Sequence, residues 1–440
     1  MVKLAELIKA QSIKGHEFLD SSVYVNGGKT DSRQVLEGDI YFALKGQNSD
    51  GHDFIGQSSE KGMAAAVVDA SYKNTQKYPV IYSENVERTL GEFAKIWRTF
   101  HNALIIGITG TNGKTTTKEM LARILSRKFR VISTFKNYNN QIGVPLTLLS
   151  IKDDTEIAIV EIGTNHFGEI EYLSDISDPD IGIITNIGEA HLEYLINKDG
   201  VYKEKKNLFE HLQRKGGQIF VNLDDEYLKN WTRGNVVTFG MNEKAAVKFD
   251  DAKINDKGFP SFTFMGIEGG LIVPGILNLK NALAAAAIAF ELKIEPSGII
   301  AALRSFSPSD KRYEMIEFNN SEILLDCYNA NPTSMENFLR DISITGQDFV
   351  VILGDMLELG RTSDESHIRI VDLASSLNFS ELLLTGNEMK KAFESKNYNG
   401  SVTHYDDFEA LKNRFIEISK KGQRIAVKGS RGMKLEKLLD

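Results

Sequence analysis

From Leu104 onward, apolar runs alternate with amphipathic stretches: LIIGIT, TTKEMLARILSRKF, EIAIVEIG, GEIEYLSDI and IGIITNI follow one another. Short apolar runs bounded by turn residues predict buried strands, and helical spacing between them predicts covering helices. The alternation therefore predicts a parallel sheet flanked by helices. It breaks at SFSPSDKRYE, after the helical GIIAALRSF, and resumes with EILLDCY, PTSMENFLRDI, DFVVILGDM, SHIRIVDLASSL, ELLLTG, FEALKNRFIEIS and RIAVKGS. A second doubly wound unit is expected there. The stretch from Gln218 to Val273 carries QIFVN, VVTFG and FTFMGI and predicts an antiparallel appendage. Before Arg98, short strands mix with turn signals at NGGKTDSR, LEGD and KGQNSDGHDF. The expected fold class is α/β in three domains: a small α/β domain over 1–100, a central P-loop domain over 101–309 and a Rossmann-like domain over 310–440.

Composition narrows this picture without redrawing it. The chain has 440 residues, which suits about three cores. Its formal charge of -8 argues against a surface that tracks nucleic-acid phosphates. Cys327 is the only cysteine, so no intrachain disulfide is possible and a reducing cytoplasm fits. The start, MVKLAELIKAQSIKGHEF, has apolar residues at helical spacing but lacks the continuous apolar core of a secretion signal. NALAAAAIAFEL is too short for a membrane span and predicts a buried helix. A cytoplasmic monomer without a membrane span is expected.

The chemistry concentrates in LIIGITGTNGKTTTKEM. A P-loop of the form G-x-x-x-x-G-K-S/T would need glycine at position 108, where Ile108 stands; the glycines fall at 107, 110 and 113. The context is still strand, loop, Lys-Thr and helix. Freed N–H groups at a helix start favour a polyphosphate, and glycines allow close backbone approach. Gly110, Thr111, Asn112, Gly113, Lys114, Thr115 and Thr116 are thus candidate ATP contacts, with Lys114 on the outer phosphates and Thr115 on Mg²⁺. Glu161 and His191 end or follow later strands, at the edge where open α/β sheets bind ligands. They are candidates to complete the Mg²⁺ site.

The string G-x-x-G-T-x-G-K-T resembles the ATP loop of the Mur ligases and their folylpolyglutamate synthase relatives, which join a carboxylate to an amine. Further motifs extend the resemblance. NIGEAHLEYL is similar to the family's N-x-x-x-A-H-L-E, which carries His191 as a metal ligand. GVYKEKKNLFEHL, expected as one amphipathic helix, resembles the segment with a carbamoylated lysine. It implies Lys205, with Lys206 the alternative, although Glu204 and Asn207 depart from the pattern. PGILNLKNALAAA implies Asn278 and Asn281 near adenine, with Leu277 where histidine is frequent. DKRYE offers Arg312 to the γ-phosphate, and LLDCYNANPTSM offers Asp326 to a ribose. The implied catalytic set is Lys114, Lys205, His191 and Arg312; the implied metal set is Thr115, Glu161, His191 and Lys205.

Within the family, TDSRQVLEGDIYFALKGQNSDGHDF looks like a uridine-nucleotide domain, implying substrate contacts from Thr30, Asp31, Ser32 and Arg33. Asn140, Tyr328, Asn329 and Asn331 join that substrate set. No D-N-P-R string marks a diaminopimelate-adding member, and YNANPTSM resembles the member that adds the terminal dipeptide. The implied ligands are ATP, Mg²⁺, UDP-N-acetylmuramoyl-tripeptide and D-alanyl-D-alanine. The ligase adding the third amino acid is the alternative, and a partner-binding P-loop ATPase is the competing class. Closure of the last domain about Ser307 to Asp310 is expected to shield the reaction from water.

Overall fold

The computed structural model describes residues 2–308, 312–346, 348–398 and 400–440. Ser309 and Asp310, half of the expected hinge, lie outside the described residues. Among the described residues three large sheets carry the architecture, one in each third of the chain; a three-stranded antiparallel unit is attached to the central one, and Val2–Lys3 pairs with Tyr24–Val25 in the first domain.

The central sheet has six parallel strands in the spatial order Asn235–Phe239, Gln218–Asn222, Ile181–Ile184, Leu104–Thr109, Ile157–Glu161, Val131–Ser133. The strand that feeds the glycine loop therefore lies in the middle, between the strands ending at Ile184 and Glu161. All its residues after Leu104 are buried, as expected of a strand covered on both faces. The same logic corrects the expected appendage. QIFVN is buried at four of five positions and joins the parallel sheet, as does NVVTF at its edge. Only Asp250–Ile254, Pro260–Phe264 and Ile267–Gly270 form the antiparallel unit, and PSFTF alternates buried and open positions as a one-sided strand does.

Two helical expectations also change. The N-terminal helix is only Leu4–Leu7, and Ile13–Glu17 is a strand. GVYKEKKNLFEHL divides into helices Lys198–Lys205 and Asn207–Lys215, joined at Lys206. The alanine-rich segment does form the buried helix Ile276–Glu291, packed against Lys114–Leu125. Alanine suits both roles, having the highest helix propensity and allowing close approach.

The last domain orders its strands Glu314–Phe318, Ser321–Asp326, Ile425–Lys428, Val350–Gly354, Glu381–Thr385, Val402–Tyr405, all parallel except the first. In the first domain the helix Val86–Thr99 packs against helices Gly143–Leu149 and Glu169–Ser177 of the central domain. Trp97, 1% exposed, donates its indole N–H to the Ile151 carbonyl at 3.0 Å. The first domain is thus fixed to the central one through a shared apolar core. Among the described residues no helix is long and apolar enough to cross a membrane.

Candidate active site

A cavity of about 410 Å³ opens where the carboxyl edge of the central sheet faces the last domain. Its floor is the glycine loop. Gly113, at φ +81°, starts the helix Lys114–Leu125, and a Cβ there would come within 2.1 Å of Asn281 Oδ1. At Gly110 a Cβ would meet Thr185 Oγ1 at 1.9 Å. Both positions therefore need glycine for space as well as for conformation. Ile108 is a buried strand residue, and Gly107 lies beside it in the same strand.

The loop is held by the next strand's end. Thr111 N–H donates to the Asn186 carbonyl at 2.9 Å, Asn112 N–H to Asn186 Oδ1 at 3.1 Å, and Thr185 Oγ1 to the Asn112 carbonyl at 2.6 Å. Lys114 folds its ammonium back onto the carbonyls of Gly110 and Thr111, at 2.7 and 3.1 Å. Loss of water pushes its pKa down to about 8; nearby Arg312 adds to the fall and Glu161 opposes it.

Glu161 is 1% exposed. Its Oε1 accepts from Thr115 Oγ1 at 3.1 Å and Asn139 Nδ2 at 2.8 Å. Its Oε2 accepts no hydrogen bond and lies 3.3 Å from Lys118 Nζ. A buried carboxylate with one oxygen that accepts no hydrogen bond, beside a threonine hydroxyl in this cavity, is a donor set suited to Mg²⁺. Among the described residues no group of three or more His, Cys, Asp or Glu gathers around one point, so any Mg²⁺ here would lean on waters and phosphates. His191 lines the same cavity, with Nδ1 2.6 Å from Glu358 Oε2 of the last domain.

Lys205 is 1% exposed, and no hydrogen bond or ion pair among the described residues holds its ammonium. Burial, reinforced by the charge of Lys114, drives its pKa well below the ordinary lysine value. Lys206 instead pairs with Glu210 at 2.6 Å. Of the two candidates, Lys205 is the buried one, and its lowered pKa is the direction that favours the free amine needed for carbamoylation. Glu204, which departs from the family pattern, accepts from Gly168 N–H at 2.8 Å and Ile170 N–H at 2.7 Å, and so satisfies the start of the helix Glu169–Ser177.

The rest of the wall comes from the Ile276–Glu291 helix and the last domain. Asn278 and Asn281 line the cavity, and Asn278 Nδ2 donates to the Pro274 carbonyl at 2.7 Å. Arg312 stacks on Tyr328, its guanidinium carbon 3.5 Å from the ring centre, and its Nε makes no hydrogen bond. Asp326 is paired with buried Lys428, which also donates to the Asn329 carbonyl at 3.2 Å. Thr116, Asn140 and Asn329 also reach the wall, Asn140 while accepting from Gly143 N–H at 3.0 Å.

Other expected contacts lie elsewhere. Asn331 caps the helix Pro332–Ile344 and donates to Asn112 Oδ1 at 2.9 Å, bridging the last domain to the loop without entering the cavity wall. Gly110 and Lys205 sit behind the wall. Thr30, Asp31, Ser32 and Arg33 belong to the first domain and do not line this cavity. There Asp31 pairs with Arg33 at 2.8 Å, and Ser32 donates to Gln57 at 2.6 Å.

The sequence singles out none of Lys118, Lys428 and Glu358 individually, although GDMLELGRTSDESH and IAVKGSRGMKLE, which carry Glu358 and Lys428, end strands at the ligand edge. KTTTK offered a hint, because Lys118 lies one helical turn after Lys114. A lysine on a helix is ordinarily a solvated one, however, and only the fold buries it.

Family profiles match three blocks of the chain: "Mur ligase family, catalytic domain" over residues 25–98, "Mur ligase middle domain" over 108–289, and "Mur ligase, glutamate ligase domain" over 311–431. The UDP-N-acetylmuramoyl-tripeptide--D-alanyl-D-alanine ligase of Bacillus subtilis is 33% identical over 428 residues, covering 94% of this chain and 92% of that enzyme. The chain belongs to the Mur ligase family. The Escherichia coli ligase of the same name is 30% identical to this Mur ligase, across 98% of this chain and 97% of its own. Among solved structures, MurF from Acinetobacter baumannii superposes with a TM-score of 0.83 at 28% identity, covering 93% of this chain and 92% of its own. MurF from Thermotoga maritima, solved in complex with ADP, shares the fold at a TM-score of 0.82 and 24% identity, over 94% of this chain and 96% of its own.

Proposed function

We propose that this Mur ligase joins D-alanyl-D-alanine to the terminal carboxylate of UDP-N-acetylmuramoyl-tripeptide, converting ATP to ADP and phosphate. The observation that carries the reading is the meeting, around one cavity, of the GTNGKTT loop with Arg312 and the YNANP turn. Full-length likeness to ligases of that name supports it. We assign residues 1–100 to the uridine-nucleotide end of the substrate through Thr30, Asp31, Ser32 and Arg33, 101–309 to ATP, and 310–440 to ligation. The enzyme is taken to be a cytoplasmic monomer.

A carboxylate resists attack because oxide is a poor leaving group. Phosphoryl transfer removes that obstacle: a carboxylate oxygen bonds to the γ-phosphorus as the bond to the ADP oxygen breaks. Lys114 and Arg312 face the transferring group and offset its charge. Mg²⁺, held by Thr115 and Glu161 with His191, would supply further charge neutralisation on the phosphates. The amine of D-alanyl-D-alanine then attacks the acyl carbon, loses a proton and expels phosphate. Asn278 and Asn281 flank the adenine and Asp326 the ribose, while Asn140, Tyr328 and Asn329 border the peptide. Lys205, with its pKa lowered by burial, can add CO₂ with loss of one proton, placing a carbamate anion near Lys114.

Substrate carrying an ¹⁸O-labelled terminal carboxylate is expected to deliver one label to the phosphate released. Unlabelled phosphate would overturn the activation route. A second expectation comes from Lys114. Its pKa in the free enzyme is about 8, so above that pH the amine must take up a proton to meet the phosphates. ATP affinity is therefore expected to hold below pH 8 and to fall about tenfold per unit above it, as read by calorimetric titration from pH 7 to 9.5.

A further inference from the structure

Beside the cavity, the central and last domains meet side chain to side chain at His191 and Glu358. His191 comes from the central domain and Glu358 from the loop after the strand Val350–Gly354 of the last domain. His191 Nδ1 lies 2.6 Å from Glu358 Oε2, and Glu193 N–H donates to the Glu358 carbonyl at 3.3 Å. Both residues adopt left-handed backbone, His191 at φ +53° and Glu358 at φ +62°. Residues with a side chain rarely adopt that region, and persist there only when their surroundings fix them. Gly360, also left-handed, lies so close to Glu193 that a Cβ would come within 3.0 Å of its Cα. The two segments are thus fitted to each other through backbone as well as side chains.

A carboxylate accepts hydrogen bonds and cannot donate them, so the proton in this contact belongs to His191 Nδ1. That restrains the ring and makes Nε2 the remaining nitrogen, the one a divalent cation would take. We infer that Glu358 is a positioning residue for His191, and that docking of the last domain thereby completes the divalent-cation site of the central domain. Histidine ligands commonly donate their second nitrogen to a carboxylate, which orients the ring and strengthens the ligand. Here the carboxylate comes from another domain, so cation affinity and domain docking are linked: each favours the other. The inference rests on the reading of Thr115, Glu161 and His191 as the cation site. A second interdomain ion pair, Arg369 to Glu189, lies outside this contact and offers a control for docking alone.

The test uses the full chain with ADP and Mn²⁺, followed by paramagnetic resonance, which reads both free Mn²⁺ and coupling from a bound histidine nitrogen. Wild type is expected to bind Mn²⁺ with a nitrogen coupling that His191→Ala removes. If wild type lacks the coupling, or His191→Ala keeps it, the cation-site reading fails and the inference falls with it. With that reading standing, Glu358→Ala is expected to weaken Mn²⁺ binding about tenfold or more and to broaden or abolish the nitrogen coupling. Glu358→Gln, whose amide oxygen still accepts from Nδ1, is expected to restore most of both, and Arg369→Ala to leave Mn²⁺ affinity within about twofold of wild type. Unchanged binding and coupling in Glu358→Ala would overturn the inference. So would an equal loss in Arg369→Ala, because docking rather than ring positioning would then be the cause. Glu358 is half-exposed, so its replacement leaves the core intact.

Discussion

Lys114→Ala is expected to lower turnover about 10³-fold or more while leaving affinity for UDP-N-acetylmuramoyl-tripeptide within about twofold of wild type. The asymmetry follows from the geometry. Lys114 stands at the start of the helix Lys114–Leu125 and lines the cavity, its ammonium folded onto the loop carbonyls of Gly110 and Thr111 within reach of a phosphate bound at the loop. It does nothing for the uridine end, whose expected contacts belong to the first domain. The charge that Lys114 offsets grows as the phosphoryl group leaves ADP, so its removal acts on the transition state more than on ground-state binding. Rapid-quench turnover together with fluorescence titration of the UDP-substrate measures the two halves separately. A comparable loss in both would mean that Lys114 supports the fold or the substrate site instead.

Lys205→Met is expected to lower turnover about 10²-fold without loss of thermal stability. The pairing of those outcomes is the informative part. An ammonium buried without a partner destabilises the folded chain, so an apolar side chain of similar volume is neutral or favourable there. Lys205 has no hydrogen-bond or ion-pair partner among the described residues, and burial together with Lys114 drives its pKa down. ¹³C resonance in labelled bicarbonate is expected to reveal a carbamate carbon in wild type and none in Lys205→Met. A fully active Lys205→Met enzyme would remove Lys205 from the mechanism.

Much of this site was legible before the structure because its residues sit at sequence-local junctions. The glycine loop, Glu161 and Asp326 each end a buried apolar run, and a strand end in an α/β sheet is where ligands bind. What escaped was set by contacts between distant segments. Lys118 reads as a solvated helix lysine until the strand ending at Glu161 is placed beside it. Lys428 closes an apolar strand in RIAVKGS, yet its partner Asp326 lies 102 positions away. Glu358 meets His191 across 167 positions and a domain boundary. Asn331 shows what a motif leaves out: YNANP marks the turn, and only the structure shows its second asparagine capping the helix Pro332–Ile344 and bonding the loop. The misjudged appendage had a local cause. Short strands with turns between them look alike whether they extend a parallel sheet or form a hairpin, and only burial of both faces separated QIFVN from PSFTF.

Acceptor choice tests the central claim most directly. Phosphate release from ATP would be followed with UDP-N-acetylmuramoyl-tripeptide present and either D-alanyl-D-alanine, D-alanine, diaminopimelate or lysine as acceptor. Rapid release with D-alanyl-D-alanine alone, matched by equimolar formation of the pentapeptide product, is the result expected. Release with a free amino acid and none with the dipeptide would contradict it.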